Sequence, residues 1–205
     1  PSRARKATRM DKVTDTAAAG TAGPVDALAP PRLAVIVPTF NEADNIARTV
    51  ERILAATHGL TVEIVVVDDD SPDGTAEVVR GLAERDPRVR LLRRVGRRGL
   101  SGACVEGMIA ARAPVVAVID ADLQHDEKLL PTLHEAVASG AADLAVGTRF
   151  ASGADASAGL SGFREGASRA ANGVTRLLLG VRLTDPMSGF FDVRRATVET
   201  PAPRM

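Results

Sequence analysis

The sequence contains no tryptophan, no tyrosine and a single cysteine, Cys104. One thiol excludes an internal disulfide and a thiolate-rich metal site, and fits an intracellular compartment. Five phenylalanines are the only large aromatic side chains, too few for the stacking platform that binds single-stranded nucleic acid. Neither sign of charge is in excess, since 26 Lys and Arg balance 26 Asp and Glu. No global field therefore points to nucleic acid or to an acidic partner. No apolar run approaches the ~18 residues of a membrane span, which leaves peripheral attachment open.

What is present fills one domain. The 205 residues are enough for a substantial core. The opening PSRARKATRMDK sets five basic residues against one acid, and Ala, Gly and Pro dominate from there to Pro31. Residues 1–30 read as a disordered, basic lead-in, because little in them offsets the entropy of ordering. The domain is expected over 31–200.

Short apolar runs then alternate with helix-length segments. LAVIV (33–37) is a strand stopped by Pro38, and Asn41 is the expected N-cap of a helix running to about Thr57. Ile46, Val50, Ile53 and Leu54 share one face of that helix. VEIVVV (62–67) is continuous, as a central parallel strand is. A helix to about Arg85, a strand at 88–92, a Gly-punctuated loop into a further helix, and a strand at 114–119 follow. Asp126 or a neighbour starts another helix, with Leu129, Leu130, Leu133 and Val137 facing inward. DLAVGTRF (143–150) is a strand passing into loop, SGADASAGLSG (152–162) a small polar surface loop, and 163–179 a helix. The FF of LTDPMSGFFDVRR suggests a second wall over a cleft, and TPAPRM leaves no room for another substantial element. The alternation predicts a layered α/β fold with a mostly parallel sheet flanked by helices.

In such sheets ligands sit beyond the carboxyl ends of the strands, where PTFNE, DDDSPDGT and DADLQHD all fall. In a locally extended DADLQ, Asp120, Asp122 and Gln124 point the same way. They can offer three oxygens to a hard cation such as Mg²⁺ or Mn²⁺, with water and phosphate completing the shell. The alternative is an acidic post-strand turn that caps a helix. In DDDSPDGT, Asp69 can accept donors from a nucleotide base while Asp68 or Asp70 orients the loop, or Asp73-Gly74 simply makes a turn. GRRGLSG combines flexible backbone with guanidinium forks suited to phosphate, against the alternative of solvated surface arginines. It is not a Walker loop, and no G-x-G-x-x-G follows the first strand. Cys104 reads as a packed side chain and His58 as a helix-end residue. His134 reads as a surface residue, and His125, at the alternate parity, has a supporting role at most. No nucleophile elbow or triad is legible.

IVPTFNEADNI, VVVDDDSPDGT, GRRGLSGA, VIDADLQHD, VGTRF and TDPMSGFF occur in this order. Together they resemble the family 2 glycosyltransferases, closely the polyprenol-phosphate (dolichol-phosphate) mannosyltransferase branch, over roughly 32–195. The resemblance implies a GT-A fold, Rossmann-like and using a divalent cation. It implies that Pro38, Phe40, Glu42 and Asp69 surround the nucleoside. Asp120, Asp122 and Gln124 match its metal pattern, with Asp120 also near the donor. Arg97 stands where relatives often carry Lys. Arg149 of GTRF, and Arg164 and Ser168 of FREGASRAAN, correspond to positions around the donor diphosphate and the acceptor phosphate. The implied reaction is inverting, metal-dependent transfer of mannose from GDP-mannose to a polyprenyl phosphate at the cytoplasmic face of a membrane, by an enzyme touching the membrane peripherally or through a partner. Asp120, Asp122 and Arg149 are its implied catalytic residues. UDP-glucose donation and a catalytically incomplete nucleotide-binding subunit are the alternatives. Three departures stand out: Asp126 replaces a frequent proline, the 152–162 loop lacks a frequent Trp, and the helix and strand that usually follow are missing after DVRR. The sequence thus resembles a catalytic domain shortened at its C-terminal end.

Overall fold

A computed structural model of the protein describes residues 29–147 and 189–199. The expected lead-in up to residue 28, the 152–162 loop, the 163–179 helix, and Arg149, Arg164 and Ser168 lie outside the described residues.

Strands β1 (Leu33–Thr39), β2 (Val62–Asp68), β3 (Val89–Arg93), β4 (Val115–Val118), β5 (Leu144–Val146) and β6 (Phe191–Arg194) form one sheet in the order β3-β2-β1-β4-β6-β5. The first four pair in parallel, and β6 runs antiparallel to both β4 and β5. Helices α1 (Ile46–Ala56), α2 (Thr75–Arg85), α3 (Leu100–Ala110), α4 (Leu130–Ala138) and the short α5 (Arg195–Glu199) connect or follow them. The mostly parallel α/β expectation holds.

Side chains of a strand alternate between faces, and both faces of β1 are apolar, so both are covered. Leu33, Val35 and Val37 pack with Ile46, Val50 and Ile53 of α1, Val79 of α2, and Leu130 and Val137 of α4. Ala34 and Ile36 pack on the other side with Ala103 and Met108 of α3 and Val198 of α5. Gly107 lets α3 settle directly on the sheet: a Cβ there would overlap Ile36 and come within 2.8 Å of Val67 Cγ2. At the amino ends of the strands, the buried Glu63 carboxylate accepts Arg90 Nη1 at 2.8 Å and Arg112 Nε at 3.1 Å. It also accepts the Ala113 N–H at 3.2 Å, tying β2 to β3 and to the α3–β4 link.

Several boundaries differ from expectation for identifiable reasons. Pro38 does not stop β1, which continues to Thr39 paired with β2. Backbone groups of alternate residues face alternate neighbours; Ile36 C=O accepts from Ile119 on the β4 side, so Pro38 also faces that side, where pairing has already ended at Val118. Its missing N–H therefore costs no ladder bond. Asn41 is not the N-cap: it adopts φ 61° in the turn, and α1 starts after Asn45. Leu129 is exposed, because a 3₁₀ turn over Glu127–Leu129 precedes α4 and rotates it outward; Asp126 caps that turn by accepting the Lys128 N–H. His134 is buried, not on the surface. The two phenylalanines form no separate wall: Phe190 enters one core layer, Phe191 joins the other, and β6 extends the sheet. Among the described residues no helix is long and apolar enough to cross a membrane.

Asp192 is the one charged side chain of β6 that is fully buried, and neither carboxylate oxygen has a hydrogen-bond partner among the described residues. It stands in register between Ala117 and Ala145, whose small side chains leave it room. Burial pushes its pKa from the ordinary 3.8 to about 8. Between those values the folded chain holds a proton that the unfolded chain has released. Stability therefore falls as pH rises through this window, by up to about 1.4 kcal/mol per pH unit. Asp192→Asn should flatten that slope, with a stability gain that grows from pH 4.5 to 8 in denaturant melts. Parallel pH profiles for the two proteins would refute this account.

Candidate functional site

The chain moves from β1 outward to β2 and β3, then returns to place β4 on the other side of β1. The crevice between the carboxyl ends of β1 and β4 is thus the point where strand order reverses, the favoured ligand position of an open α/β sheet. Continuing the register beyond Ile36 and Val118 puts Pro38 level with Asp120, one strand spacing of about 4.8 Å away.

On one side of this crevice the β1 and β2 turns are stitched together. The buried Asp68 carboxylate accepts the Ser71 N–H at 3.1 Å and the Ser71 hydroxyl at 2.5 Å, and Ser71 Oγ accepts the Asn41 N–H at 3.0 Å. Thr75 Oγ1 accepts the Glu42 N–H, and Asp73 accepts the N–H of Ala43 and of Thr75, each at 3.0 Å. Burial opposes ionisation of Asp73, but the Thr75 and Ala43 hydrogen bonds outweigh it and lower its pKa. Asp68 is therefore the loop-orienting member of the acidic triplet. Asp70 is tied to Arg93 at 2.6 Å, half-exposed.

Asp69 does something else. Its side chain and that of Arg94 are both over nine-tenths buried, and Arg94 Nη1 donates to Asp69 Oδ1. Asp69 Oδ2 accepts the Gly99 N–H at 2.7 Å, and Arg94 Nη1 also donates to the Gly99 carbonyl at 3.2 Å. Arg94 Nε lies 3.2 Å from Glu106 Oε1, a charge contact without hydrogen-bond alignment. The pair fastens the β3–α3 loop over the end of β2. A pocket of about 260 Å³ opens there, lined by Pro38, Thr39, Phe40, Asp69, Arg98 and the first residues of α3. The Arg98 guanidinium sits 4.4 Å above the Phe40 ring, so the pocket mouth is flat, cationic and aromatic. Pro38, Phe40 and Asp69 line this one pocket. Glu42 lies beside them, its Oε2 accepting Asn45 Nδ2 at 2.9 Å, and does not line the pocket. Arg97 turns away to Glu106 at 3.0 Å; the neighbouring Arg98 is the loop arginine that faces in. Alternation within GRRG is a signal that could have found it.

On the other side lies DADLQH. The segment is not extended, as the ligand parity required: it is a turn, with Leu123 at φ 61° and Asp122 Oδ1 accepting the Gln124 N–H at 3.0 Å. The carboxylates of Asp120 and Asp122 still emerge from one strand end, with Asp122 and Gln124 exposed and Asp120 part-exposed. His125 Nε2 stands 3.5 Å from Asp120 Oδ2, with the ring tilted against Phe190 at 5.5 Å. Gly189 passes over Asp120 so closely that a Cβ would overlap the carboxylate, with Asp120 Cγ at 2.8 Å. Among the described residues no three His, Cys, Asp or Glu side chains already close on a point. The donors that Asp120, Asp122 and Gln124 carry are oxygens, the type that suits a hard divalent cation. Cys104 lies beneath; burial, then the charge of Asp120, pushes its thiol up to about 11, so it is an inert packed group. His125 and Gly189 are the neighbours that spacing alone did not reveal.

Over residues 34–178 the chain matches the family described as "Glycosyl transferase family 2". It is 41% identical over 170 residues to the dolichol-phosphate mannosyltransferase of Pyrococcus furiosus, covering 82% of this chain and 47% of that one. Identity to the dolichol-phosphate mannosyltransferase of Saccharomyces cerevisiae is 35% over 173 residues, covering 83% and 63% of the two chains. The polyprenol monophosphomannose synthase of Mycolicibacterium smegmatis is 37% identical over 172 residues, with 82% and 63% covered. The chain thus spans between about half and two-thirds of these relatives' length. Among solved structures, glucosyl-3-phosphoglycerate synthase of Mycobacterium tuberculosis, in complex with Mn²⁺, UDP and phosphoglyceric acid, aligns with a TM-score of 0.62 at 21% identity. That alignment covers 83% of this chain and 58% of that one, and the likeness is one of fold. A GT-A sheet whose switch point is flanked by acidic turns, together with the match over most of its length, makes this chain a member of glycosyl transferase family 2.

Proposed function

We propose that the chain forms the donor-binding and catalytic part of a polyprenyl-phosphate mannosyltransferase. The observation that carries this reading is the placement of the Phe40–Arg98–Asp69 pocket and the Asp120–Asp122 carboxylates on either side of one switch point. The curated relatives named above are dolichol- or polyprenol-phosphate mannose enzymes, which supports mannose transfer to a polyprenyl phosphate; GDP-mannose is the donor that the resemblance of the motifs implies.

The nucleoside would lie between Pro38, Phe40 and Arg98, with Asp69 supporting the loop that closes over it. Asp120, Asp122 and Gln124 would hold Mg²⁺ or Mn²⁺, which supplies charge neutralisation of the leaving diphosphate. By the resemblance of GTRF and FREGASRAAN, Arg149 would add a guanidinium at the donor diphosphate, and Arg164 and Ser168 would hold the acceptor phosphate. An acceptor phosphate oxygen bonds to the anomeric carbon as the bond to the nucleoside diphosphate breaks, inverting that centre. The acceptor is already ionised near neutral pH, so no deprotonating residue is needed. Catalysis rests on positioning and on stabilising the departing charge. The reaction would run at the cytoplasmic face of a membrane, with the protein peripheral to it. Donor binding without transfer would instead select the alternative of a nucleotide-binding partner subunit.

Asp122 is exposed and outside the core, so Asp122→Ala should leave melting unchanged. It should also lower metal-dependent mannose transfer from GDP-mannose to a short polyprenyl phosphate by roughly 10²-fold or more. Near-normal transfer would overturn the assignment, and better use of UDP-glucose in a competition assay would replace the donor. Gly189→Ala should push the Asp120 carboxylate aside. The expected result is weaker Mn²⁺ binding in calorimetry with the fold retained; unchanged affinity would remove Asp120 from the metal set.

A further inference from the structure

Two side chains of α1, Thr49 and Arg52, hold the DADLQHDE segment at two points, Ala121 and Glu127. We propose that they are positioning residues for a divalent cation: by fixing the turn between those points, they keep Asp120, Asp122 and Gln124 grouped before the ion arrives. The proposal rests on the reading of these three side chains as its ligands.

Thr49 is fully buried. Its hydroxyl lies 3.1 Å from each of two carbonyls, those of Asn45 and Ala121. The Asn45 carbonyl already accepts the Thr49 N–H at 2.9 Å, so the hydroxyl proton is available to Ala121. Ala121 is itself buried, where a carbonyl without a donor is costly. That carbonyl belongs to the planar peptide group that joins Ala121 to Asp122. Holding the plane still constrains the direction from which the Asp122 side chain departs.

Three residues further along the same side of the helix, Arg52 Nη2 stands 2.7 Å from Glu127 Oε2. The Glu127 side chain is 4% exposed, and its own segment also carries Asp120, Asp122 and Asp126. The guanidinium offsets a charge that would otherwise be buried without compensation. Between the two holds the chain passes through Leu123 at φ 61°, a left-handed conformation that leucine rarely adopts. Such backbone persists where its surroundings over-determine it, as the holds at Ala121 and Glu127 do. Side chains inside the span stay open, with Asp122 and Gln124 exposed. At its other end α1 grows out of the turn beside the nucleoside pocket, where the Glu42 carbonyl accepts the N–H of Asn45 at 3.0 Å and of Ile46 at 2.9 Å. One helix therefore connects the two turns that flank the crevice.

Calorimetric titration of the full chain with Mn²⁺ alone tests this. Thr49→Val keeps the shape of the side chain and removes the hydroxyl. Its expected loss of affinity is about tenfold, the lower end of what removing a support behind a metal ligand costs. Thr49→Ser should bind near wild type, and amide hydrogen exchange at Gln124 should quicken in the valine variant only. Arg52→Gln, at a part-exposed side chain, should weaken Mn²⁺ binding similarly and decides the question if Thr49→Val does not fold. Lower melting temperatures with unchanged Mn²⁺ affinity would make both residues plain supports of the fold and overturn the proposal. Equal loss of affinity in Thr49→Ser would do the same. Asp122→Ala, run alongside, separates this proposal from the reading beneath it. If that variant loses Mn²⁺ while Thr49→Val and Arg52→Gln keep it, the ligand assignment stands and the positioning role falls. If it binds Mn²⁺ like wild type, the ligand assignment falls and takes the proposal with it.

Discussion

Parallel pairing of β1 with β2 on one side and β4 on the other is the constraint on which the rest depends. It runs through residues that are apolar on both faces, so the strand must be covered twice, and α1 and α3 cover it from opposite sides. Because the strands are parallel, their carboxyl ends stop side by side. Because the chain reverses its order across β1, two of those ends splay apart and leave a crevice. Chemistry-bearing residues on PTF, DDD and DAD are neighbours for this reason, although more than eighty positions separate the first from the last.

The edge so formed is unequal in its rigidity. Its β1–β2 half is over-determined: Asp68, Ser71, Asp73 and Thr75 lock two turns to each other, and the buried Asp69–Arg94 pair clamps the following loop. Breaking a buried pair on one side leaves an uncompensated charge, typically a loss of about 3–5 kcal/mol, so Asp69 supports the fold as much as it shapes the pocket. The β4 half is looser, with Asp122 and Gln124 exposed and Asp120 held beside His125 and Gly189.

The opposite edge has its own electrostatics. Glu63 absorbs part of the arginine charge there, yet His134 and Arg32 stay unsatisfied among the described residues. A chain with zero formal net charge thus still gathers Arg32, Arg112, Arg194 and Arg195 around one hollow. Net charge concealed this, because summation discards position.

Element types, the parallel sheet and the identity of the acidic turns were legible in the sequence, since they rest on local periodicity and on residue chemistry that neighbours do not change. LAVIV and VEIVVV could be nothing but buried strands, and Asp126 capped a helix as its chemistry demands. Orientation and partnership were decided by the tertiary structure. Whether Pro38 ends β1 depended on which neighbour its missing N–H faced, and whether DADLQ is extended depended on the left-handed turn at Leu123. Arg97 and Arg98 are chemically identical in the sequence; only the loop clamped by Asp69 sends one to Glu106 and the other to Phe40. His134 reads as surface until α4 turns it toward the arginines. Local sequence sets what a segment can become, whereas the direction of a side chain is fixed by contacts with residues far away in the chain.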